Sequence, residues 1–172
     1  LPGPGPGRCL DPLQLDRLER ALRTWADSPR RPDLAASRRR VFLIFLLIRY
    51  TGARLNEELR LKLEDDLDPG KRTVVFRKGA AGGDRARRDV QIPEAVAAEV
   101  QDLLKTLALR SAGRRGLRLD PAHVRRKFYE RAEAAGLPRG LGAPEAIRRS
   151  RAVELMQGNV PLPVVQKILG HS

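Results

Sequence analysis

The chain has 172 residues, 41% of them hydrophobic and 32% charged, which suits one globular domain with a full core better than two domains. Its net charge of +13, from 34 basic and 21 acidic residues, favours a polyanionic partner, and nucleic acid is the commonest one. Aromatic residues make up 4% of the chain, too few for a protein that stacks single-stranded bases on its surface. The longest apolar run is far shorter than the ~20 residues of a membrane span.

Cysteine and histidine are too scarce to predict a disulfide or a metal centre. Cys9 is the one cysteine in the sequence, and His123 and His171 alone do not make a metal cluster of recognisable spacing. Residues 1–9 are rich in Pro and Gly and lack the apolar stretch of a secretory signal, so we expect a disordered leader there and one domain over residues 10–172. We therefore expect a cytoplasmic protein with no cofactor, no metal and no membrane partner.

The N-terminal part of the chain predicts two helices that are separated by a basic segment. Asp11 as N-cap and Pro12 at the first helical position begin the first helix, and leucines at helical spacing give it one apolar stripe. We expect residues 30–40, which are rich in arginine, to form a solvated connector. Val41–Tyr50 is apolar nearly all round and predicts a central buried helix.

A glycine-containing turn follows the central helix and presents Arg54. Asn56 is predicted to be the N-cap of the next, short helix, because its side-chain oxygen can accept a hydrogen bond from a free backbone N–H. A guanidinium held at the start of a new helix is well placed to meet a phosphate. The alternative is an ordinary corner between two helices with a solvated arginine.

Two β-type segments, Thr73–Phe76 and Asp89–Ile92, predict an antiparallel hairpin around a glycine-rich turn. Its basic residues are Lys78 near the tip and, on the return, Arg85, Arg87 and Arg88. The rest of the chain predicts four more helices, starting near residues 93, 121, 144 and 160. The predicted fold class is mostly α with a small antiparallel β-hairpin or sheet.

Four segments in order resemble the motifs of the tyrosine recombinase, or phage integrase, family. Tyr50–Glu57 looks like the family's T-G-x-R-I-S-E motif, and Phe76–Gly79 with Arg88–Pro93 is similar to its lysine-bearing hairpin. Glu145–Ser150 stands where the family has H-x-L-R-H-T, and Val164–Ser172 resembles its I-Q-x-L-L-G-H-S motif. The resemblance covers the chain from Leu10 onwards and implies the fold of that family's catalytic domain.

The resemblance implies a DNA strand-transfer site in which a tyrosine attacks a backbone phosphate. Arg54 and Arg148 would clamp that phosphate, Lys78 would protonate the leaving oxygen, and His171 would donate to a phosphate oxygen. Two guanidinium forks suit the charge that a phosphodiester develops as it reacts. The alternative is that Lys78 is a solvent-facing hairpin charge and that His171 only caps its helix. The predicted contacts to double-stranded DNA are Arg54, Lys78, Arg85, Arg87, Arg125, Arg126, Arg148 and Arg149.

Two departures from the family motifs bear on activity. Glu145 replaces the family's first histidine, and a carboxylate at this spacing is expected to pair with Arg148 and repel phosphate, unless it only favours the start of its helix. The family's nucleophile lies on a helix just beyond the Gly-His motif, so we expect the chain to be truncated before that helix. Tyr50 and Tyr129, the two tyrosines present, match no nucleophile position.

Three functions remain open at this point. The favoured hypothesis is a DNA-binding domain of this family that has lost its chemistry, as in the integrase-like domains of regulators of molybdate or tungstate uptake. The alternative is the truncated catalytic domain of an active site-specific recombinase. A basic RNA-binding domain would explain the charge but not the four motifs. In either DNA-binding case the protein could form a homo-oligomer on DNA.

Overall fold

The computed structural model describes residues 9–77, 87–108, 117 and 119–170. In these ranges the chain forms eight α-helices, one 3-10 helix over Arg139–Gly142, and three strands. The helices are α1 Pro12–Asp27, α2 Pro32–Thr51, α3 Leu55–Leu59, α4 Leu63–Asp66, α5 Glu94–Ala108, α6 Pro121–Ala134, α7 Pro144–Gln157 and α8 Leu162–Leu169. The strands are β1 Leu67–Asp68, β2 Thr73–Arg77 and β3 Arg87–Gln91. The predicted fold class, mostly α with a small antiparallel sheet, is confirmed.

Helix α2 is the centre of the core, as its apolar sequence predicts. Every residue of Val41–Ile48 is almost fully buried, because α1, α3, α5 and α7 all pack against this helix. Phe45 meets Phe128 of α6 edge-on, with ring centroids 5.9 Å apart. Fully burying one large apolar side chain contributes about 1.5–3 kcal/mol, so this segment anchors the fold and fixes the position at which α2 ends.

The expectation of a solvated connector over residues 30–40 is wrong, because α2 begins at Pro32. Arg38 and Arg39 of this segment lie on the second turn of α2 and contact the preceding helix, α1. Arg38 donates to the carbonyl oxygen of Trp25 at 3.1 Å, and its guanidinium lies 4.9 Å from the centre of the Trp25 ring. These contacts replace water around an arginine that the sequence alone describes as solvated.

The start of α1 is as predicted. The Asp11 carboxylate accepts the backbone N–H of Gln14 at 2.8 Å, and the Gln14 side chain returns a bond to the Asp11 N–H. This capping box satisfies two donors that the first turn would otherwise leave free. Just before it, the N–H of Leu10 donates to the Ser150 hydroxyl at 2.8 Å, which joins the N-terminal segment to α7.

The three strands form one antiparallel sheet in the order β1, β2, β3. Thr73 pairs with Gln91 and Arg77 with Arg87, which leaves residues 78–86 between the two strands. Lys78 and Arg85 therefore lie outside the described residues, and so does His171 at the other end of the chain. Strand β3 packs against α8, which brings the sheet beside the C-terminal helix. Among the described helices, none has both the length and the apolarity that crossing a bilayer requires.

Candidate functional site

The site is organised around Gly52, which ends α2. Gly52 has the left-handed φ of 71°, and its N–H donates to the Ile48 carbonyl at 2.8 Å, so the chain turns sharply there. A side chain at Gly52 would collide with the Leu169 side chain at the end of α8. The turn therefore needs glycine both for its φ and for space, because it lies directly against the end of α8.

Arg54 is the residue that this turn presents. It is the N-cap of α3, and its side chain is about half exposed, at 52%. The predicted N-cap, Asn56, is wrong, because Asn56 lies inside the helix. Glu57 supplies the cap in its place: its Oε1 accepts the backbone N–H of Arg54 at 3.0 Å. An acid in the first turn is favoured at a helix start, and this one holds the Arg54 backbone in place.

Arg148 reaches the same turn from α7. Its Nε donates to the Gly52 carbonyl at 2.8 Å, and its Nη2 donates to the Leu169 carbonyl at 3.0 Å. Burial lowers the pKa of Arg148, and the charge of Arg54 lowers it further. Two arginines that are 94 positions apart in sequence are thus brought close enough to repel each other. The structure therefore places Arg54 and Arg148 at the same turn.

Arg88 of β3 is a third guanidinium at this place, although it was not among the predicted site residues. We call the group formed by Arg54, Glu57, Arg88 and Arg148 the Arg54 pocket. Nη1 and Nη2 of Arg88 donate to the two carboxylate oxygens of Glu57, at 2.6 and 3.1 Å. Burial raises the pKa of Glu57, but the hydrogen bonds from Arg88 and from the Arg54 N–H outweigh it and hold that pKa below its ordinary value. The signal in the sequence was the position of Arg88 in the segment similar to the family's hairpin.

The pocket carries more positive than negative charge. Arg54, Arg88 and Arg148 surround one ionised carboxylate, that of Glu57. Three like charges in a partly buried site raise its free energy, and an anion that enters relieves this repulsion. Guanidinium groups also match the oxygens of a phosphate in geometry, because each can donate two parallel hydrogen bonds. The arrangement can bind a phosphate and stabilise negative charge that develops on its oxygens.

Glu145 lies outside this pocket's hydrogen bonds, so the expectation that it pairs with Arg148 is wrong. Its carboxylate binds Arg125 of α6, with distances of 3.0 Å from Nη1 to Oε2 and 2.6 Å from Nη2 to Oε1. That hydrogen bond is the largest cause that lowers the pKa of Glu145, with a smaller contribution from the charge of Arg149. Arg125 of α6 therefore neutralises the carboxylate that was expected to repel phosphate.

The other predicted DNA contacts are spread over several elements. Arg87 donates to Asp89 at 2.8 and 3.2 Å on the sheet, and Arg126 is exposed on α6 with Nη2 3.2 Å from Nδ1 of His123. Arg149 is exposed on α7, beside Glu145.

Neither tyrosine of the chain is placed to act as a nucleophile in the pocket. The Tyr50 hydroxyl donates to Glu19 at 2.9 Å, and burial raises its pKa. The Tyr129 ring lies against the guanidinium of Arg139, at 5.1 Å. Within the described ranges, no three side chains of His, Cys, Asp or Glu come together in a way that could hold a metal ion.

The model of the phage integrase family matches residues 9–172. The chain belongs to the phage integrase family. Its relatives include the tyrosine recombinase XerA of Pyrococcus furiosus, which is 30% identical over 137 residues, covering 76% of this chain and 46% of the relative. Tyrosine recombinase XerC of Mycobacterium sp. strain KMS is 32% identical over 173 residues, covering 93% of this chain and 54% of the relative.

Solved structures agree with this membership. The XerH site-specific recombinase bound to its difH substrate, in a pre-cleavage complex, superposes with a TM-score of 0.74 at 25% identity, covering 96% of this chain and 47% of that one. The predicted family and catalytic-domain fold are therefore confirmed. The chain spans about half the length of the curated relatives it matches.

Proposed function

We propose that the chain is the part of a site-specific tyrosine recombinase that binds double-stranded DNA and activates one phosphodiester for strand transfer. The observation that carries this proposal is the convergence of Arg54 and Arg148 on the Gly52 turn. The relatives named above are recombinases, and one of the solved structures holds its DNA substrate. Duplex DNA is therefore the proposed partner of this chain.

In this proposal both arginines bind the phosphate, but they differ in exposure and in how firmly the fold holds them. Arg54 is half exposed and approaches the phosphate from the turn, whereas Arg148 is fixed by two backbone carbonyls and needs little reorganisation when DNA binds. Lys78 and His171 keep the roles that the family resemblance implies, as leaving-group acid and phosphate donor. The attacking hydroxyl belongs to a tyrosine other than Tyr50 and Tyr129.

Glu145 is one of the two departures from the family motifs that argue for a domain without chemistry. An acid that paired with Arg148 would weaken phosphate binding, but Glu145 pairs with Arg125 instead. This contact favours an active recombinase over a domain that only binds DNA, such as one in a transcriptional regulator. As a recombinase, the protein would act as a homo-oligomer on DNA.

The full-length protein distinguishes these functions in a supercoiled plasmid assay. We expect relaxation or recombination of the plasmid by the unaltered protein and loss of both in Arg54→Ala and Arg148→Ala. Arg139→Ala, which removes an exposed arginine paired with Glu133, is the control and should leave the reaction unchanged. Tight duplex binding with no relaxation would instead favour a DNA-binding domain without chemistry.

A comparison of ligands tests the partner itself. Affinities for duplex DNA and for structured RNA are measured at the same salt concentration, because both bind through phosphates and both weaken with salt. We expect duplex DNA to bind more tightly. A clear preference for RNA would contradict the proposal in both of its forms, with and without strand transfer.

A further inference from the structure

We propose that Arg88 is a positioning residue, which holds Glu57 away from the guanidinium of Arg54 and thereby keeps Arg54 available for a phosphate. The inference rests on the proposed function, since it concerns the same pocket. It assigns a task to a side chain on the sheet that the two-arginine clamp does not include.

The Arg88 guanidinium joins four parts of the fold. It binds both oxygens of Glu57 on α3, and its Nε donates to the Ile168 carbonyl of α8 at 3.0 Å. Its centre lies 4.6 Å from the centre of the Phe76 ring on β2. Gly170 leaves room for it, because a Cβ there would come within 2.6 Å of Nη1. Only 15% of the side chain is exposed, so these contacts fix it in one position.

Glu57 is the group that makes this position matter. One of its oxygens already accepts the Arg54 N–H, and it lies 4.0 Å from Nη1 of Arg54. A carboxylate so close to Arg54 would pair with that guanidinium if nothing else neutralised it. Arg88 supplies the opposite charge from the other side. The Glu57 carboxylate can then cap the backbone of Arg54 without occupying its side chain.

A lysine cannot replace Arg88 in this role. Two bonds to a carboxylate, one to a carbonyl and stacking on a ring all require a planar fork with several donors. An ammonium at the same place would neutralise part of the charge of Glu57. It could not at the same time donate to the Ile168 carbonyl and stack on the Phe76 ring. Arg88→Lys is therefore expected to bind DNA more weakly than the unaltered protein, but more tightly than a variant with no charge at this position.

The test measures affinity for a duplex at fixed salt in single and double variants of the full-length protein. Arg88→Met should weaken binding by roughly tenfold or more, because it leaves the Glu57 carboxylate unpaired beside Arg54. Glu57→Gln in the same background should restore most of that loss, since the amide still accepts the Arg54 N–H but carries no charge. A purely structural role for Arg88 predicts no such rescue.

Arg23→Met is the matched control. Arg23 also forms a two-bond fork, to Glu99 at 2.8 and 2.7 Å, and its guanidinium lies 5.3 Å from the centre of the Phe42 ring, but it joins α1 to α5 away from the pocket. Its loss should change affinity by less than about threefold, as expected for one charge outside the binding site. If Arg88→Met does not fold, Arg88→Lys with and without Glu57→Gln makes the same comparison.

The outcomes separate this inference from the proposed function. A double variant as weak as Arg88→Met overturns the positioning role of Arg88 and leaves the two-arginine clamp intact. A tenfold loss in Arg23→Met also overturns it, because the effect would then be one of net charge or stability. Full affinity in Arg148→Ala would instead contradict the phosphate pocket itself, whatever the Arg88 variants show.

Discussion

Replacing Arg148 with alanine tests both roles that the structure gives this side chain, one in the fold and one on DNA. The substitution removes the hydrogen bonds to the carbonyls of Gly52 and Leu169, at 2.8 and 3.0 Å. A hydrogen bond from a charged group contributes about 1.5–3 kcal/mol. Arg148 is only half-buried and Arg54 repels it, so we expect a net loss of about 2 kcal/mol in the free energy of unfolding, with the domain still folded.

The expected effect of Arg148→Ala on DNA is larger than the effect of one surface charge. A lost fork on a phosphate should cost about 2 kcal/mol of binding free energy, or roughly 30-fold in Kd. Fluorescence anisotropy with a labelled duplex at two salt concentrations measures this, and urea denaturation measures the stability. Arg139→Ala controls for the loss of one exposed charge. A folded Arg148→Ala whose Kd stays within twofold of the unaltered protein would refute the clamp.

Three further predictions concern backbone strain, pH and salt. Gly52→Ala should lower the free energy of unfolding by about 2–4 kcal/mol, because Gly52 has a φ of 71° and a Cβ there would collide with Leu169. The control is Gly136→Ala, which should cost only about 1 kcal/mol, because Gly136 has a φ of 74° but no atom within 4 Å of the added Cβ. Equal losses of the two variants in urea denaturation would contradict the collision. Burial raises the pKa of Glu58 well above its ordinary value of 4.5, so the stability of its neutral form is fully present below that pH and is lost as the pH rises through the native pKa. Glu58→Leu removes this titrating group, so the stability of the variant relative to the unaltered protein should increase as the pH rises above 4.5. Denaturation experiments in which that difference in the free energy of unfolding does not change with pH would argue against a neutral buried acid. Affinity for duplex DNA should fall steeply with salt as bound counterions are released, and an affinity independent of salt would count against phosphate contacts.

Much of the fold was predictable because its signals are local. Asp11 as N-cap and Pro12 at the first helical position predict the start of α1. The unbroken apolar run of α2 predicts a buried helix whatever its packing partners are. The hairpin strands follow from β-branched residues on either side of a glycine-rich turn. The family motifs then added the order of the elements and the positions of Arg54 and Arg148.

What the sequence did not predict depends on contacts between distant residues. Spacing along α7 suggested that Glu145 would pair with Arg148, but its partner is Arg125, 20 positions away on another helix. Local preference likewise favoured Asn56 as a cap, whereas Glu57 caps the same helix and also binds Arg88 of β3. The partner of each of these side chains depends on which helices and strands pack together, and neither sequence periodicity nor helix propensity describes that packing.

The two carbonyls that Arg148 binds lie at the C-terminal ends of α2 and α8. Aligned peptide dipoles give each such end roughly half a negative charge, whereas anion sites are commonly built on the opposite, electropositive ends of helices. These two helix ends would therefore repel a phosphate by themselves. The positive charge at this place comes from the side chains of Arg54, Arg88 and Arg148, so replacing any one of them lowers the local potential as well as removing a contact.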